Sequence, residues 1–215
     1  DVSAGMLEAS AKQLLADYPS LEIHGLIGTY QQALQHLPPS PTSKRMVFFL
    51  GSSLGNFLPK QCQEIFRDVK KALQPGDYFL LGLDLQKSKD ILEPAYNDSQ
   101  GVTAEFNYNL LDHLNRRFQG NFNRQHFQHW TFYNSELGQI ETYLRSTKPQ
   151  TVELKSLNLT VKFREGETIH TDISRKFNLQ EMEQELAQAG LPIIQTWRDV
   201  QDWFALVLCQ ATDAN

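Results

Sequence analysis

Residues 46–59, MVFFLGSSLGNFLP, decide the fold class of this chain. The stretch opens with five apolar residues without polar alternation, a pattern that predicts a strand covered on both faces, as in a parallel sheet flanked by helices. The small-residue turn GSSLGN follows, and Pro59 begins a helical pattern. Ligands of open α/β sheets bind where a strand runs into such a turn, and glycines there let backbone approach a ligand closely. On its own, the turn fits a ligand site and an ordinary tight connection equally well.

Strand and helix patterns alternate around this stretch. They predict helices over residues 2–18, 30–37 and 60–73, strands over 21–27, 46–50 and 78–83, and a loop at 38–41. Because three strand–helix alternations precede Asp84, we expect a doubly wound parallel sheet.

The pattern changes after Asp84. It predicts helices over 90–96 and 101–118, the second with Phe106, Leu110, Leu114 and Phe118 in register, antiparallel strands over 126–163, a capped helix over 178–189 and a final strand pair. We therefore expect an α/β core from residues 1–86 and 177–215, and an inserted α+β substrate-binding subdomain from 87–176 that caps the carboxyl edge of the core.

Composition excludes several classes of protein. The chain has 215 residues and a net charge of −5, which disfavours a nucleic-acid or anionic-membrane partner. Cys62 and Cys209 lack metal-ligand spacing and indicate a reduced, cytoplasmic protein. His126 and His129 have no nearby acidic residue or cysteine to complete a metal site, so we expect no metal. No apolar run reaches the roughly 18–20 residues that span a bilayer. We expect a monomer acting on a small molecule.

Four motifs together resemble one enzyme family. They are FLGSSLGNF (residues 49–57), AYNDSQGVTAEFN (95–107), QIETYL (139–144) and IHTDISRKF (169–177). A parallel sheet closing with an antiparallel strand pair resembles the class I S-adenosylmethionine-dependent methyltransferases. With the motifs, the chain resembles the histidine-specific Nα-methyltransferases, which make trimethylhistidine on the way to ergothioneine. The resemblance covers nearly the whole chain and implies a Rossmann-like class I methyltransferase fold.

The resemblance implies a set of substrate residues. Asn56 would hold the α-amino and α-carboxylate groups, with the hydroxyl of Tyr96 beside it, and these two are the predicted catalytic residues. Thr103 would border the imidazole ring. Asp172 and Ser174 would hydrogen-bond its two nitrogens, and alternation along a strand puts both on one face. Positioning suits the chemistry, because methyl transfer to an amine needs mainly a neutral amine held in line with the methyl group.

The resemblance also implies cofactor residues for S-adenosylmethionine. Asp1 resembles the acidic residue that binds the ribose. Gly28, Thr29 and Tyr30 fall where the family reads the adenine, and Gly51 lies where its backbone passes the cofactor. The family's glycine-rich loop would lie upstream of Asp1, so we expect this fragment alone to bind cofactor poorly.

Two alternatives remain open. The family usually has glutamate at the position of Asp172 and often methionine at that of Thr142, which lies in the predicted pocket wall. The common adenine-site aspartate is Thr29 here. A related branch methylates a prenylated tryptophan, so tryptophan or another aromatic amino acid is the rival substrate. Without the glycine-rich loop, the chain could instead be a non-catalytic amino-acid-binding module.

Overall fold

The computed structural model describes residues 1–37 and 44–213; the predicted loop at 38–41 lies outside them. The helices are α1 (Ala4–Asp17), α2 (Tyr30–Gln35), α3 (Pro59–Ala72), α4 (Lys89–Tyr96), α5 (Val102–Phe118) and α6 (Leu179–Gln188). The strands are β1 (Met46–Phe49), β2 (Tyr78–Asp84), β3 (Phe127–Asn134), β4 (Gln139–Ser146), β5 (Gln150–Leu154), β6 (Leu159–Phe163), β7 (Thr168–Arg175), β8 (Ile193–Arg198) and β9 (Phe204–Gln210). No helix among the described residues is long and apolar enough to cross a membrane.

The first sheet has the order β1-β2-β9-β8. Only β1 and β2 pair in parallel, while β9 runs antiparallel to both β2 and β8. The predicted final strand pair is thus confirmed, and among the described strands of this sheet only one pair is parallel. The strand predicted over residues 21–27 is wrong: the segment has no regular structure and is mostly exposed. An isolated strand has no ladder partner for its backbone groups and little burial to stabilise it.

Strand β1 is covered on one face only, which corrects the prediction of two buried faces. Met46 is 42% exposed and Phe48 is 60% exposed. The alternate residues Val47 and Phe49 pack against the core that α3 and β2 build. Among the described residues, the face that carries Met46 and Phe48 is left open to solvent, so the continuous apolar run does not translate into burial on both faces.

The second sheet is antiparallel and has the order β3-β4-β7. Strands β5 and β6 form a separate antiparallel pair. These strands and α5 enclose a separate apolar cluster centred on Leu111 and Leu144, both fully buried. The predicted helix over 101–118 is present as α5, but its apolar stripe is not its buried face. Phe106 is 73% exposed, and the buried residues of the helix are Asn107 and Leu111.

The end of β7 joins the two sheets. Directly after this strand, the Lys176 amide donates to the Gly138 carbonyl (2.7 Å), and the Phe177 amide donates to the Asp84 carbonyl (2.9 Å). Phe177 also forms a parallel bridge with Leu85. The carboxyl ends of β2 and β7 therefore meet, and side chains from both sheets converge there.

Candidate active site

A cavity of about 550 Å³ opens at this junction. It is lined by Asn56, Tyr96, Thr103, Phe106, Asn107, Asn109, Leu110, His113, Thr142, Thr171 and Asp172. Five of the six predicted substrate residues are among them, and the sixth, Ser174, hydrogen-bonds Tyr96. Residues from the 51–56 turn, α4, α5, β4 and β7 thus share one site.

The turn after β1 packs against β7. It forms a 3₁₀ turn over Ser53–Asn56, in which Leu54 and Gly55 are buried. A β-carbon on Gly55 would lie 2.9 Å from the Arg175 carbonyl oxygen, closer than side chains tolerate. Gly55 therefore allows a close approach to protein backbone, not to a ligand as the turn pattern suggested. This contact places Asn56, the next residue, at the cavity.

A buried cluster lies beside Tyr96. The Lys176 side chain is 1% exposed, and its Nζ donates to Asp84 Oδ2 (2.8 Å), Tyr96 OH (2.7 Å) and Ser174 Oγ (2.8 Å). The Tyr96 and Ser174 hydroxyls are themselves 2.8 Å apart. Sequence reasoning missed Lys176 and Asp84. One signal for Lys176 was available: it lies in the IHTDISRKF motif, two residues after the predicted substrate residue Ser174.

Asp172 faces the cavity from β7. Although the residue as a whole is exposed, partial desolvation of its carboxyl group raises its pKa above the usual aspartate range. Its partner across the strands is Thr142, and the pairing shifts register at the next residue, Tyr143. Thr142 is buried, and its hydroxyl lies 3.3 Å from that of Thr131.

Asp98 fixes the start of α5, which forms another wall. Its carboxylate accepts from the amides of Thr103 (2.8 Å) and Val102 (2.9 Å). Because these bonds favour the ionised form, they lower the pKa of Asp98 to about 2. Asp98 thereby holds Thr103 at the cavity, a role that the sequence patterns did not reveal.

The side chain of His129 contacts the backbone of Tyr96. Its Nε2 lies 3.0 Å from the Tyr96 carbonyl oxygen, and its Nδ1 lies 3.0 Å from Asn107 Nδ2. A carbonyl can only accept and an amide nitrogen can only donate, so Nε2 carries the proton. His126 instead faces Asn123. Among residues 1–37 and 44–213, no group of three or more metal-capable side chains forms a metal site.

The predicted cofactor residues lie in two places. The Gly28 amide donates to the Asp1 carbonyl (3.0 Å), so Asp1 lies beside the 28–30 turn. Thr29 caps α2 through a reciprocal hydrogen-bond pair with Gln32, and Tyr30 packs edge-on to Phe57.

Gly51 lies at the carboxyl end of β1 with φ +72°, and open space faces the position of a β-carbon there. An acidic residue beside the 28–30 turn and an open glycine after β1 offer the acceptor and the clearance that a nucleoside needs. The exposed Asp1 and the open space at Gly51 are compatible with S-adenosylmethionine.

The model of one protein family matches nearly the whole chain. The family is described as histidine-specific, S-adenosylmethionine-dependent methyltransferases, and the match covers residues 1–211. The chain belongs to this family. The predicted membership is thus confirmed, and the site just described is that of a family member.

Two relatives of this methyltransferase chain are informative. The histidine N-alpha-methyltransferase of Mycolicibacterium smegmatis is 38% identical over 208 residues, which is 97% of this chain and 64% of that protein. The L-tryptophan methyltransferase of Psilocybe serbica is 25% identical over 198 residues, which is 88% of this chain and 54% of that protein. The chain therefore spans slightly less than two thirds of the first relative's length.

A solved structure supports the fold. A crystal structure of an S-adenosylmethionine-dependent methyltransferase from Clostridium acetobutylicum superposes with a TM-score of 0.50 at 11% identity, covering 99% of this chain and 74% of that one. At that identity the likeness concerns the fold alone. It confirms the predicted Rossmann-like class I methyltransferase fold.

Proposed function

We propose that the complete protein containing this chain transfers methyl groups from S-adenosylmethionine to the α-amino group of L-histidine, ending at the trimethylated amino acid. The observation that carries this proposal is the convergence of Asn56, Tyr96, Thr103, Thr142 and Asp172 on one cavity. These residues come from four separate motifs, and a shared amino-acid site is the simplest reason for their meeting.

The proposed chemistry depends on positioning. The cofactor supplies an electrophilic methyl group. The cofactor itself would be held by Asp1, Gly28, Thr29, Tyr30 and Gly51. The chain must hold an unprotonated amine in line with that group, which accounts for much of the rate in such a reaction.

The Asn56 amide has both donor and acceptor capacity for an amino-acid head group, and Tyr96 lines the same cavity. Repeated methylation changes the amine at each round, so the carboxylate and side chain must provide the constant anchor. Asp172 would accept from a ring N–H, and Ser174 would serve the other ring nitrogen.

We also propose the division into a core of residues 1–86 and 177–215 and a substrate-binding insertion of 87–176. Two separate apolar clusters, one on each side of this boundary, support it. A cytoplasmic, monomeric enzyme without nucleic-acid or membrane partners remains our prediction from the net charge of −5 and the two free cysteines.

Calorimetry on the complete protein tests the main proposal. With S-adenosylhomocysteine present, L-histidine and Nα,Nα-dimethyl-L-histidine should both bind, because the anchor is shared by both. Binding of neither would refute the proposal. A cofactor bearing a labelled methyl group should then label histidine.

An aromatic amino acid such as tryptophan is the second candidate substrate. Two observations favour it: a relative named for tryptophan, and a cavity of about 550 Å³, which has room beyond an imidazole. Labelling of tryptophan but not histidine in the same assay would decide for this candidate. Binding without any labelling would point to the non-catalytic module.

A further inference from the structure

All three hydrogen-bond donors of the Lys176 ammonium group have acceptors inside the protein. An ammonium group has three donors and no acceptor. Its three protons go to Asp84 Oδ2, Tyr96 OH and Ser174 Oγ, at 2.7–2.8 Å. Since the side chain is 1% exposed, water does not compete for these bonds. The charge is balanced by Asp84, which also accepts from Lys87 (2.6 Å).

This arrangement limits the protons that the two hydroxyls can offer. Tyr96 OH, Ser174 Oγ and Lys176 Nζ form a nearly equilateral triangle, with sides of 2.7, 2.8 and 2.8 Å. Neither hydroxyl can donate to Lys176, because an ammonium accepts nothing. One hydroxyl proton is used in the bond between Tyr96 and Ser174. A single hydroxyl proton therefore remains for a ligand.

The acidities of the two hydroxyls decide which proton remains. A phenol, with a reference pKa of about 10, is a far stronger acid than an aliphatic alcohol and is the better donor. Lys176 donates to both hydroxyls at nearly equal distances, so its charge does not change this order. Tyr96 thus donates to Ser174, and the Ser174 proton is the one left over.

We propose that Lys176 is a positioning residue that makes Ser174 a hydrogen-bond donor toward the substrate side chain. This inference rests on the proposed function. Asp172, two residues away on β7, can accept from a ring N–H, so the pair matches a ring with one N–H and one bare nitrogen. A neutral imidazole has both. An indole has only the N–H and would leave the Ser174 proton without a partner.

The test compares two amino acids on the complete protein with S-adenosylhomocysteine bound. L-Histidine has the bare ring nitrogen, whereas 3-(pyrrol-2-yl)-L-alanine keeps a five-membered ring with an N–H and lacks it. Wild type should bind histidine roughly tenfold or more tightly, because an unpaired buried donor is costly. The readout is this ratio of dissociation constants, which a general loss of fold would not shift selectively.

Lys176→Met should lower the ratio at least about threefold, because without the ammonium both hydroxyls can reorient and Ser174 can donate elsewhere. Lys176→Gln serves the same purpose if the methionine variant does not fold, since an amide supplies an acceptor to which a hydroxyl can donate. In a Ser174→Ala background, the Lys176 substitution should cause no further change in the ratio.

Tyr96→Phe distinguishes the direction of the Tyr96–Ser174 bond. Lys176 still donates to Ser174 in this variant, so the ratio should stay at its wild-type value even if both affinities fall. A higher ratio would show that Ser174 donates to Tyr96 and would overturn the proposal. An unchanged ratio in folded Lys176 variants would overturn it as well. If wild type binds neither amino acid, the proposed function itself fails.

Discussion

The α-carbon of Gly55 lies directly against the backbone of Arg175: a β-carbon there would be 2.9 Å from the Arg175 carbonyl oxygen and 3.4 Å from its amide nitrogen. This contact joins the turn after β1 to the end of β7. It brings Asn56, from the core sheet, to the cavity that Asp172 lines from the second sheet.

Gly55→Ala should separate these two elements. The added methyl group meets backbone that cannot move aside, so we expect a cost of about 1–3 kcal/mol in the free energy of unfolding. Since Asn56 moves with the turn, kcat/KM for histidine should fall on the order of 10- to 100-fold. Gly5→Ala is the matched control, because nothing lies within 4 Å of a β-carbon there. Normal kinetics in Gly55→Ala would show that the turn does not position Asn56.

Asn56→Ala should raise KM for histidine roughly 10- to 100-fold. This range corresponds to the free energy of one lost hydrogen bond to a charged group. Asn56→Asp should be worse, since it sets a second carboxylate against that of the substrate. Steady-state kinetics with circular dichroism will separate this effect from misfolding. Ser53→Ala, on the same turn, is the control, because within residues 1–37 and 44–213 its hydroxyl donates only to the Leu50 carbonyl. Equal KM values for wild type and Asn56→Ala would show that Asn56 does not bind the substrate and that the turn is an ordinary connection.

Asp98 should make stability depend on acid pH. Its folded pKa of about 2 lies below the unfolded value of about 3.9. The carboxylate therefore stabilises the fold above about pH 4, and this contribution is lost as pH falls toward 2. Asp98→Ala should lower Tm at pH 7, and the difference from wild type should shrink between pH 4 and pH 2. Asp17→Ala, at the exposed end of α1, is the control for removing a surface carboxylate.

The phenol of Tyr143 should ionise only at high pH. Desolvation and its hydrogen bond to the Glu141 carboxylate raise the pKa of Tyr143 to about 12. Because the folded pKa lies above the unfolded value of about 10, the contribution to stability holds below pH 10 and is lost toward pH 12. Titration of tyrosinate absorbance should show a step near pH 12 that Tyr143→Phe removes. A step near pH 12 that Tyr143→Phe leaves unaffected would contradict the assignment.

Local patterns predicted much of the fold. The buried face of α3 follows from the spacing of Cys62, Ile65, Phe66 and Val69, all of which are buried. The Asn178 cap of α6 is also present as predicted. These features depend on residues within a few positions of one another, which a sequence states directly. The strand predicted over 21–27 failed because a strand also needs a partner, and partners lie far away in the chain.

The α5 helix shows the same limit. Apolar spacing put Phe106 and Leu110 in one register, yet both line the cavity, and the buried positions are Asn107 and Leu111. Which side of a helix meets the core depends on where β4 and β7 lie. Helix periodicity does not carry that information.

The sequence by itself determined most of the element types, the family and five of the residues that line the cavity, because the motifs contain those residues in chain order. Only the tertiary structure decided how they are held. Lys176 and Asp84 are 92 positions apart, and Tyr96 and Ser174 are 78 apart. Such contacts arise from the meeting of β2 and β7 at their carboxyl ends. Strand pairing, and not local pattern, therefore determines the buried charge that orients the site.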